Sequence, residues 1–136
     1  MTSRERLQAA LNHRQPDRVC VDFGSTAVTG LHVSIVHRLR QRLLGDKDWR
    51  VKVIEPYQML GEVDEALREA LGIDVTGLAP RRSIFGFEAN GWKPFKMFDG
   101  TECLVPGDFR VSAAPDGGWH MHPEGDLQAP PSGHMP

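Results

Sequence analysis

The segment from Asp17 to Ser25 constrains the fold most, because it predicts a buried strand between two helices. Residues 18–23 are apolar or β-branched at alternate positions, which is typical of a strand. They lead into a polar, glycine-flanked loop over 24–32. In α/β folds the loop that follows the carboxyl end of a strand is a frequent place for functional groups. This loop is therefore the first candidate for the wall of a site.

The helix and strand patterns continue in alternation through the first half of the chain. Thr2 and Glu5 form a capping-box pattern at the start of the first helix, and Gly45 and Gly72 are suited to end the second and third. Strand–helix–strand units of this length normally make right-handed parallel crossovers. The sequence predicts helices over 2–13, 33–44 and 61–71, and strands over 18–23, 49–54 and 73–78.

The pattern changes after residue 84, where helical periodicity gives way to short β-rich runs separated by turn dipeptides. Asp99-Gly100 joins two such runs, and Asp-Gly is a strong hairpin signal because type I′ turns need positive φ. Four runs, over 92–98, 101–105, 109–111 and 119–122, predict an antiparallel meander. We expect three segments: a helix and β/α segment over 1–84, a hairpin insertion over 85–122, and a tail rich in proline and glycine over 123–136.

Charge and composition exclude several classes of function. The formal net charge is −2, which gives no electrostatic basis for binding nucleic acid or an anionic membrane. The first residues lack the apolar core of a signal peptide, and no apolar run approaches the roughly 20 residues of a membrane span. Cys20 and Cys103 lack the spacing of a metal motif, so we expect reduced thiols in a cytoplasmic protein.

Two groups of polar residues lie at predicted strand ends. Asp22, Ser25, Thr26 and His32 surround the end of the first strand, where an aspartate and a histidine can act as acid and base if they meet. The alternative is a local role in a turn or cap. Glu55, Tyr57 and Gln58 lie at the end of the second strand. In a parallel barrel they would face the mouth of the active site, and the alternative is that they anchor a loop around Pro56.

Two further features carry weaker signals. His120 and His122 are two residues apart on a predicted strand and so share a face. They are weak candidates for metal ligands that would need a third group from Glu124, Asp126 or His134, and the alternative is a pair of plain surface residues. Asp74, early in the third predicted strand, is expected to act as a cap or ion-pair partner.

Several short motifs occur in an informative order, among them Ser3-Arg4-Glu5-Arg6-Leu7, Pro16-Asp17-Arg18-Val19, Glu55-Pro56-Tyr57-Gln58 and Leu71-Gly72-Ile73-Asp74. Together they resemble the opening of the uroporphyrinogen decarboxylase superfamily, in its branch of decarboxylase-like proteins and corrinoid-linked methyltransferases. The resemblance implies an α/β fold: the N-terminal portion of a (β/α)8 TIM-type barrel, about three βα units, with an inserted antiparallel β meander. Such barrels take about 250 residues, so the resemblance implies a fragment that is inactive alone.

The resemblance also implies a chemistry for full-length relatives, namely corrinoid-linked methyl transfer or decarboxylation of a small-molecule substrate. Zinc and a corrinoid, or a corrinoid protein, would serve those relatives, whereas this chain alone would bind no cofactor. It would supply part of the pocket wall through Asp22, Ser25, Thr26, His32 and residues 55–58. The stretch 22–27 lacks the arginines that hold substrate carboxylates in the decarboxylases. The alternative is a self-standing interaction or ligand-binding module that completes its sheet by forming a homo-oligomer.

Overall fold

The computed structural model of the chain describes residues 1–135, and Pro136, at the end of the predicted tail, lies outside them. The helices are α1 (Ser3–Leu11), α2 (Val33–Leu44) and α3 (Glu65–Leu71), and a short 3-10 turn covers Pro123–Gly125. The strands are β1 (Val51–Glu55), β2 (Leu60–Gly61), β3 (Lys93–Lys96), β4 (Glu102–Val105), β5 (Val111–Ala113), β6 (Trp119–Met121) and β7 (Gly133–Met135).

The three predicted helices are confirmed, with local signals at their ends. The capping box of Thr2 and Glu5 is formed at the start of α1. Gly45 ends α2 at φ 75°, a left-handed conformation that glycine adopts without steric cost. α3 is shorter than expected because Asp64 caps its N-terminus through a hydrogen bond from the backbone N–H of Leu67. Within residues 1–135 none of the helices combines the length and apolar character that crossing a membrane requires.

The strands form two small sheets rather than one curved parallel sheet. The first has four strands in the order β2-β1-β4-β3, and only β1 and β4 run parallel. β3 and β4 form an antiparallel hairpin, as do β5 and β6, and β7 adds to the free side of β6 in the second sheet. Residues 1–135 thus form a small domain of short, mainly antiparallel strands with three helices.

The predicted barrel portion is therefore wrong, and so is the single inserted meander. Residues 18–23 and 73–78 form no strands. Val19 is exposed, and the two segments meet through one backbone hydrogen bond, from the N–H of Asp74 to the carbonyl of Val21 (2.9 Å). The alternating pattern of the first segment was real, but too few of its apolar side chains are buried to hold a ladder together. The predicted meander is divided because β4 pairs with β1 instead of with β5.

The hydrophobic core begins at α2 and includes both sheets. Val33 and Val36 of α2 pack with Val53 of β1, and Val105 of β4 is fully buried beside them. An aromatic group continues this core towards the second sheet: Phe109 meets Phe87 and Phe95 edge to face, with ring centres 5.6 and 5.5 Å apart. The strands of the predicted insertion therefore share one core with the first half of the chain.

Candidate functional site

The N-terminus of α2 is fixed in place by the short strand β2. The backbone N–H of Val33 donates to the carbonyl of Met59 (2.8 Å), and the N–H of Gly61 donates to the carbonyl of Leu31 (2.9 Å). His32 caps the helix, because its Nδ1 accepts a hydrogen bond from the backbone N–H of Ser34 (3.3 Å). That bond makes Nδ1 an acceptor, so the neutral ring carries its proton on Nε2.

A tight turn follows β1 and brings two polar side chains beside this helix. The carboxylate of Glu55 accepts hydrogen bonds from the backbone N–H groups of Tyr57 and Gln58, each at 2.9 Å. Met59 takes a positive φ of 53° and directs the chain into β2. Tyr57 stacks on Phe85 with ring centres 5.5 Å apart. Glu55 thus shapes the turn, while Tyr57 and Gln58 are the residues that the turn presents.

The opposite wall comes from the hairpin between β3 and β4. Phe98 stacks on Trp119, with ring centres 4.1 Å apart, and Asp99 follows it within the turn. The backbone N–H of Thr101 donates to Asp99 (3.0 Å) and holds the pKa of that carboxyl at about 2, so Asp99 is ionised at neutral pH. Arg38, on the second turn of α2, contacts the carboxylate from across the gap at 3.4 Å.

Together these elements line an open cleft of about 580 Å³. Its volume lies within the range of small-molecule sites, about 300–1,000 Å³. The lining is apolar over most of its surface and polar where α2 and the hairpin approach each other. The lining residues are His32, Ser34, Ile35, Arg38, Tyr57, Gln58, Met59, Met97, Phe98, Asp99 and Met135.

Two polar groups in the cleft have unused hydrogen-bonding capacity. Ser34 is buried, and within residues 1–135 its hydroxyl makes no hydrogen bond of ordinary geometry, although it lies close enough to the Asp99 carboxylate to help lower the pKa of that group. Arg38 makes only a long contact with Asp99 and is largely exposed, so most of its N–H donors face solvent. A guanidinium of this kind is suited to a carboxylate, which it can bind through two parallel hydrogen bonds.

The remaining predicted site residues lie elsewhere. Asp22 accepts hydrogen bonds from the hydroxyl of Ser25 (2.5 Å) and from the hydroxyl of Thr29 (3.2 Å), and Thr26 contacts Thr29 in the same loop. These contacts make a self-contained turn, the local role that the sequence analysis left open. Of the seven predicted pocket residues, the cleft brings together three: His32, Tyr57 and Gln58.

The two candidate metal ligands have different environments. His122 is buried, and both ring nitrogens are engaged, Nε2 with the hydroxyl of Ser112 (2.8 Å) and Nδ1 with the carbonyl of Ala129 (3.0 Å). His120 faces His134, with ring centres 5.6 Å apart. Across residues 1–135 no group of three or more His, Cys, Asp or Glu side chains is arranged to hold a metal ion.

Sequence reasoning missed most of the cleft. Arg38 lies in a basic stretch of α2, a pattern that usually marks a solvated helix face, and Asp99 belongs to a dipeptide that signals a turn. Their side chains meet although 61 positions separate them. One available signal was the spacing along α2. Ser34 and Ile35 precede Arg38 by four and three positions, so the three residues share a helix face.

No family model matches this chain, and neither a curated protein nor a solved structure matches it. The resemblance to the uroporphyrinogen decarboxylase superfamily therefore stays a prediction.

Proposed function

We propose that the cleft between α2, the 55–59 turn and the β3–β4 hairpin binds a small organic molecule with an apolar body and an acidic group. The observation that carries this proposal is the position of the exposed Arg38 guanidinium at the edge of an otherwise apolar cleft. Burial of the apolar body would supply most of the affinity, and Arg38 would select for the acid.

The apolar part of the cleft suits a flat or flexible body of moderate size. Met59, Met97 and Met135 supply unbranched side chains that adapt to irregular shapes. Phe98, already stacked on Trp119, presents its exposed portion to the cleft. Aromatic ligands gain from such a wall because offset stacking adds to the burial of area.

The polar edge favours a carboxylate over a cation. Asp99 is ionised, but its carboxylate is held by the backbone N–H of Thr101 and by Arg38. The Arg38 contact is long and exposed, so a ligand carboxylate can take the unused N–H donors without breaking a buried ion pair. His32 adds an Nε2–H donor in its neutral form, since Nδ1 accepts from the helix.

The test is a titration with 2-naphthoate, followed by protein NMR chemical shifts. Shifts are expected at Met97, Phe98 and Ile35, and Arg38→Gln is expected to weaken binding about three- to tenfold, as for loss of an exposed charge-assisted hydrogen bond. Arg42→Gln is the matched control, because Arg42 lies on the same helix and outside the cleft lining. The neutral analogue 2-naphthalenemethanol should bind both variants equally.

The proposal fails if 2-naphthoate at millimolar concentration leaves these resonances unchanged. It also fails if Arg38→Gln and Arg42→Gln weaken binding to the same extent, since that result would indicate a general effect of charge. Far-ultraviolet circular dichroism of both variants ensures that the comparison is made between folded proteins.

A second candidate function is catalysis, as part of the site of a decarboxylase-like or methyltransferase-like protein. The observation in its favour is that three residues assigned to a pocket wall by the resemblance, His32, Tyr57 and Gln58, do line one cleft. We expect this chain alone to be inactive. The test is whether the purified chain nevertheless releases carbon dioxide from an aromatic acid or transfers a methyl group from methylcobalamin to a thiol. Catalysis would replace the binding proposal if either activity were found and His32→Gln abolished that activity.

Self-association is a separate proposal for a partner. β3 and β5 lie at the edges of their sheets, and an unpaired edge is a template for a strand of a second copy. Pro94 removes one N–H from β3, so β5 is the better edge for such pairing. Sedimentation equilibrium would reveal a dimer. A stable dimer with micromolar affinity has an association free energy of roughly 8 kcal/mol, and a protein that is still monomeric at about 100 μM would rule it out.

We place the protein in the cytoplasm, a proposal supported by its two unpaired cysteines.

A further inference from the structure

We propose that His120 and His134 form a two-histidine site for a divalent transition metal ion, with zinc as the expected occupant and Asp116 as the group that orients His134. Neither histidine lines the cleft, so this site is separate from the proposed ligand-binding function. It also differs from the pair His120 and His122 that the sequence suggested.

The sheet places the two imidazoles side by side. His120 of β6 and His134 of β7 are directly opposed in the antiparallel register. Opposed residues of an antiparallel pair project on the same face, with Cβ atoms about 4.5–5.5 Å apart. The ring centres are 5.6 Å apart and the ring planes are inclined at 63°. A metal ion with bonds of about 2.0–2.1 Å to one nitrogen of each ring would hold the ring centres at a similar separation, once each ring turns that nitrogen towards the ion.

Asp116 supplies the group that commonly supports a ligating histidine. Nε2 of His134 lies 3.1 Å from Oδ1 of Asp116 and 3.0 Å from Oδ2. A carboxylate that accepts the Nε2–H bond fixes the tautomer and leaves the lone pair of Nδ1 for a metal. The carboxylate is itself held in place, because it accepts a hydrogen bond from the backbone N–H of Gly118 (3.1 Å).

The site is open to solvent, so an ion can reach it without unfolding of the protein. The side chain of His134 is 41% exposed and that of Asp116 is 62% exposed. The described residues offer two imidazole ligands here, and water molecules would complete the coordination. Imidazole suits zinc, copper and nickel better than magnesium or calcium. His122 is unsuited to the same role because both of its ring nitrogens already have partners.

The experiment is a calorimetric titration of the full chain, prepared without a histidine tag, with zinc chloride at pH 7.5. One zinc ion per chain is expected. His120→Gln and His134→Gln should each weaken binding at least tenfold, and Asp116→Asn should weaken it about tenfold, as for loss of an outer-sphere carboxylate. His13→Asn is the control, since His13 is exposed, lies far along the chain from the pair and has a positive φ that asparagine tolerates.

An NMR measurement on the unmodified protein keeps the test independent of how the variants fold. Zinc should shift the ring resonances of His120 and His134 and leave those of His122 and His13 in place, and magnesium at the same concentration should shift none of them. The proposal is overturned if millimolar zinc moves neither ring. It is also overturned if His120→Gln and His134→Gln bind zinc as tightly as His13→Asn does, because the Asp116–His134 contact would then serve only to close the β5–β6 turn.

Discussion

The buried carboxylate of Asp74 accepts a hydrogen bond from the guanidinium of Arg6, although 68 positions separate the two residues in the chain. The same carboxylate accepts hydrogen bonds from Arg18 and from the backbone N–H of Val21. Arg6 is the only buried residue of α1, so this ion pair is the main attachment of the first helix to the rest of the described chain. The expected role of Asp74 as an ion-pair partner is confirmed.

Replacement of this carboxylate should loosen the N-terminal region. In Asp74→Asn the buried guanidinium of Arg6 loses one of its two carboxylate partners and keeps Asp17. We expect a lower thermal midpoint and faster trypsin cleavage after the arginines of α1. Asp48→Asn is the control because Asp48 is exposed. Equal midpoints and equal cleavage rates for the two variants would contradict this role of Asp74.

The stability of the protein should fall in acid partly because of Asp99. The backbone N–H of Thr101 lowers the pKa of Asp99 to about 2, whereas an unfolded aspartate has a pKa of about 3.9. A carboxyl with a lowered folded pKa stabilises the folded state above the unfolded pKa, and this contribution is lost as the pH falls through the folded value. Urea unfolding between pH 5 and about 2 should therefore show a smaller loss of stability in Asp99→Asn. Identical pH profiles for the two proteins would exclude this contribution.

The two cysteines should differ sharply in reactivity. Cys103 is fully buried on β4, and burial raises the pKa of its thiol to about 12, so the reactive thiolate is scarce at pH 8. Cys20 is only partly buried. Mass spectrometry after brief treatment with iodoacetamide should find one modified thiol in the native protein and two in urea. In Cys20→Ser the native protein should stay unmodified, and rapid labelling of that variant would show that β4 opens readily.

The aromatic group around Phe109 should be a main source of stability. Phe109 is almost fully buried and contacts Phe87 and Phe95 edge to face. Phe109→Ala should lower the free energy of unfolding by about 3–5 kcal/mol, the usual cost of removing a buried ring. Ile84→Ala is the control, since the side chain is 86% exposed, and it should change stability by less than about 0.5 kcal/mol. Urea denaturation measures both values, and similar values for the two variants would contradict this account of the core.

Local patterns in the sequence predicted the helices and several strands well. The apolar period and Gly45 gave α2 its observed bounds, and the capping box gave the start of α1. Asp99-Gly100 correctly indicated the β3–β4 hairpin, but the turn is not of type I′, because Gly100 has a positive φ of 85° and Asp99 does not. These signals depend on interactions among residues a few positions apart, so they can be recognised along the chain.

The candidate site was predictable only in part, because it brings together residues that lie far apart in the chain. His32, Tyr57 and Gln58 follow or precede regular elements, and polar residues at such places often face a pocket. Arg38, Asp99 and Met135 enter the cleft only because α2, the β3–β4 hairpin and β7 pack around the same core. The residues next to them in the sequence form no local pattern that predicts this contact.

The sequence by itself determined where helices start and end and which dipeptides make turns, because those choices are settled by backbone hydrogen bonds and side chains within one or two turns of chain. Tertiary structure decided that β4 lies parallel to β1, that residues 18–23 and 73–78 form no ladder, and that Arg38 faces Asp99. Those outcomes depend on which distant apolar surfaces bury each other best. Local periodicity is nearly the same for each competing pairing, and only the energy of the packed core distinguishes them.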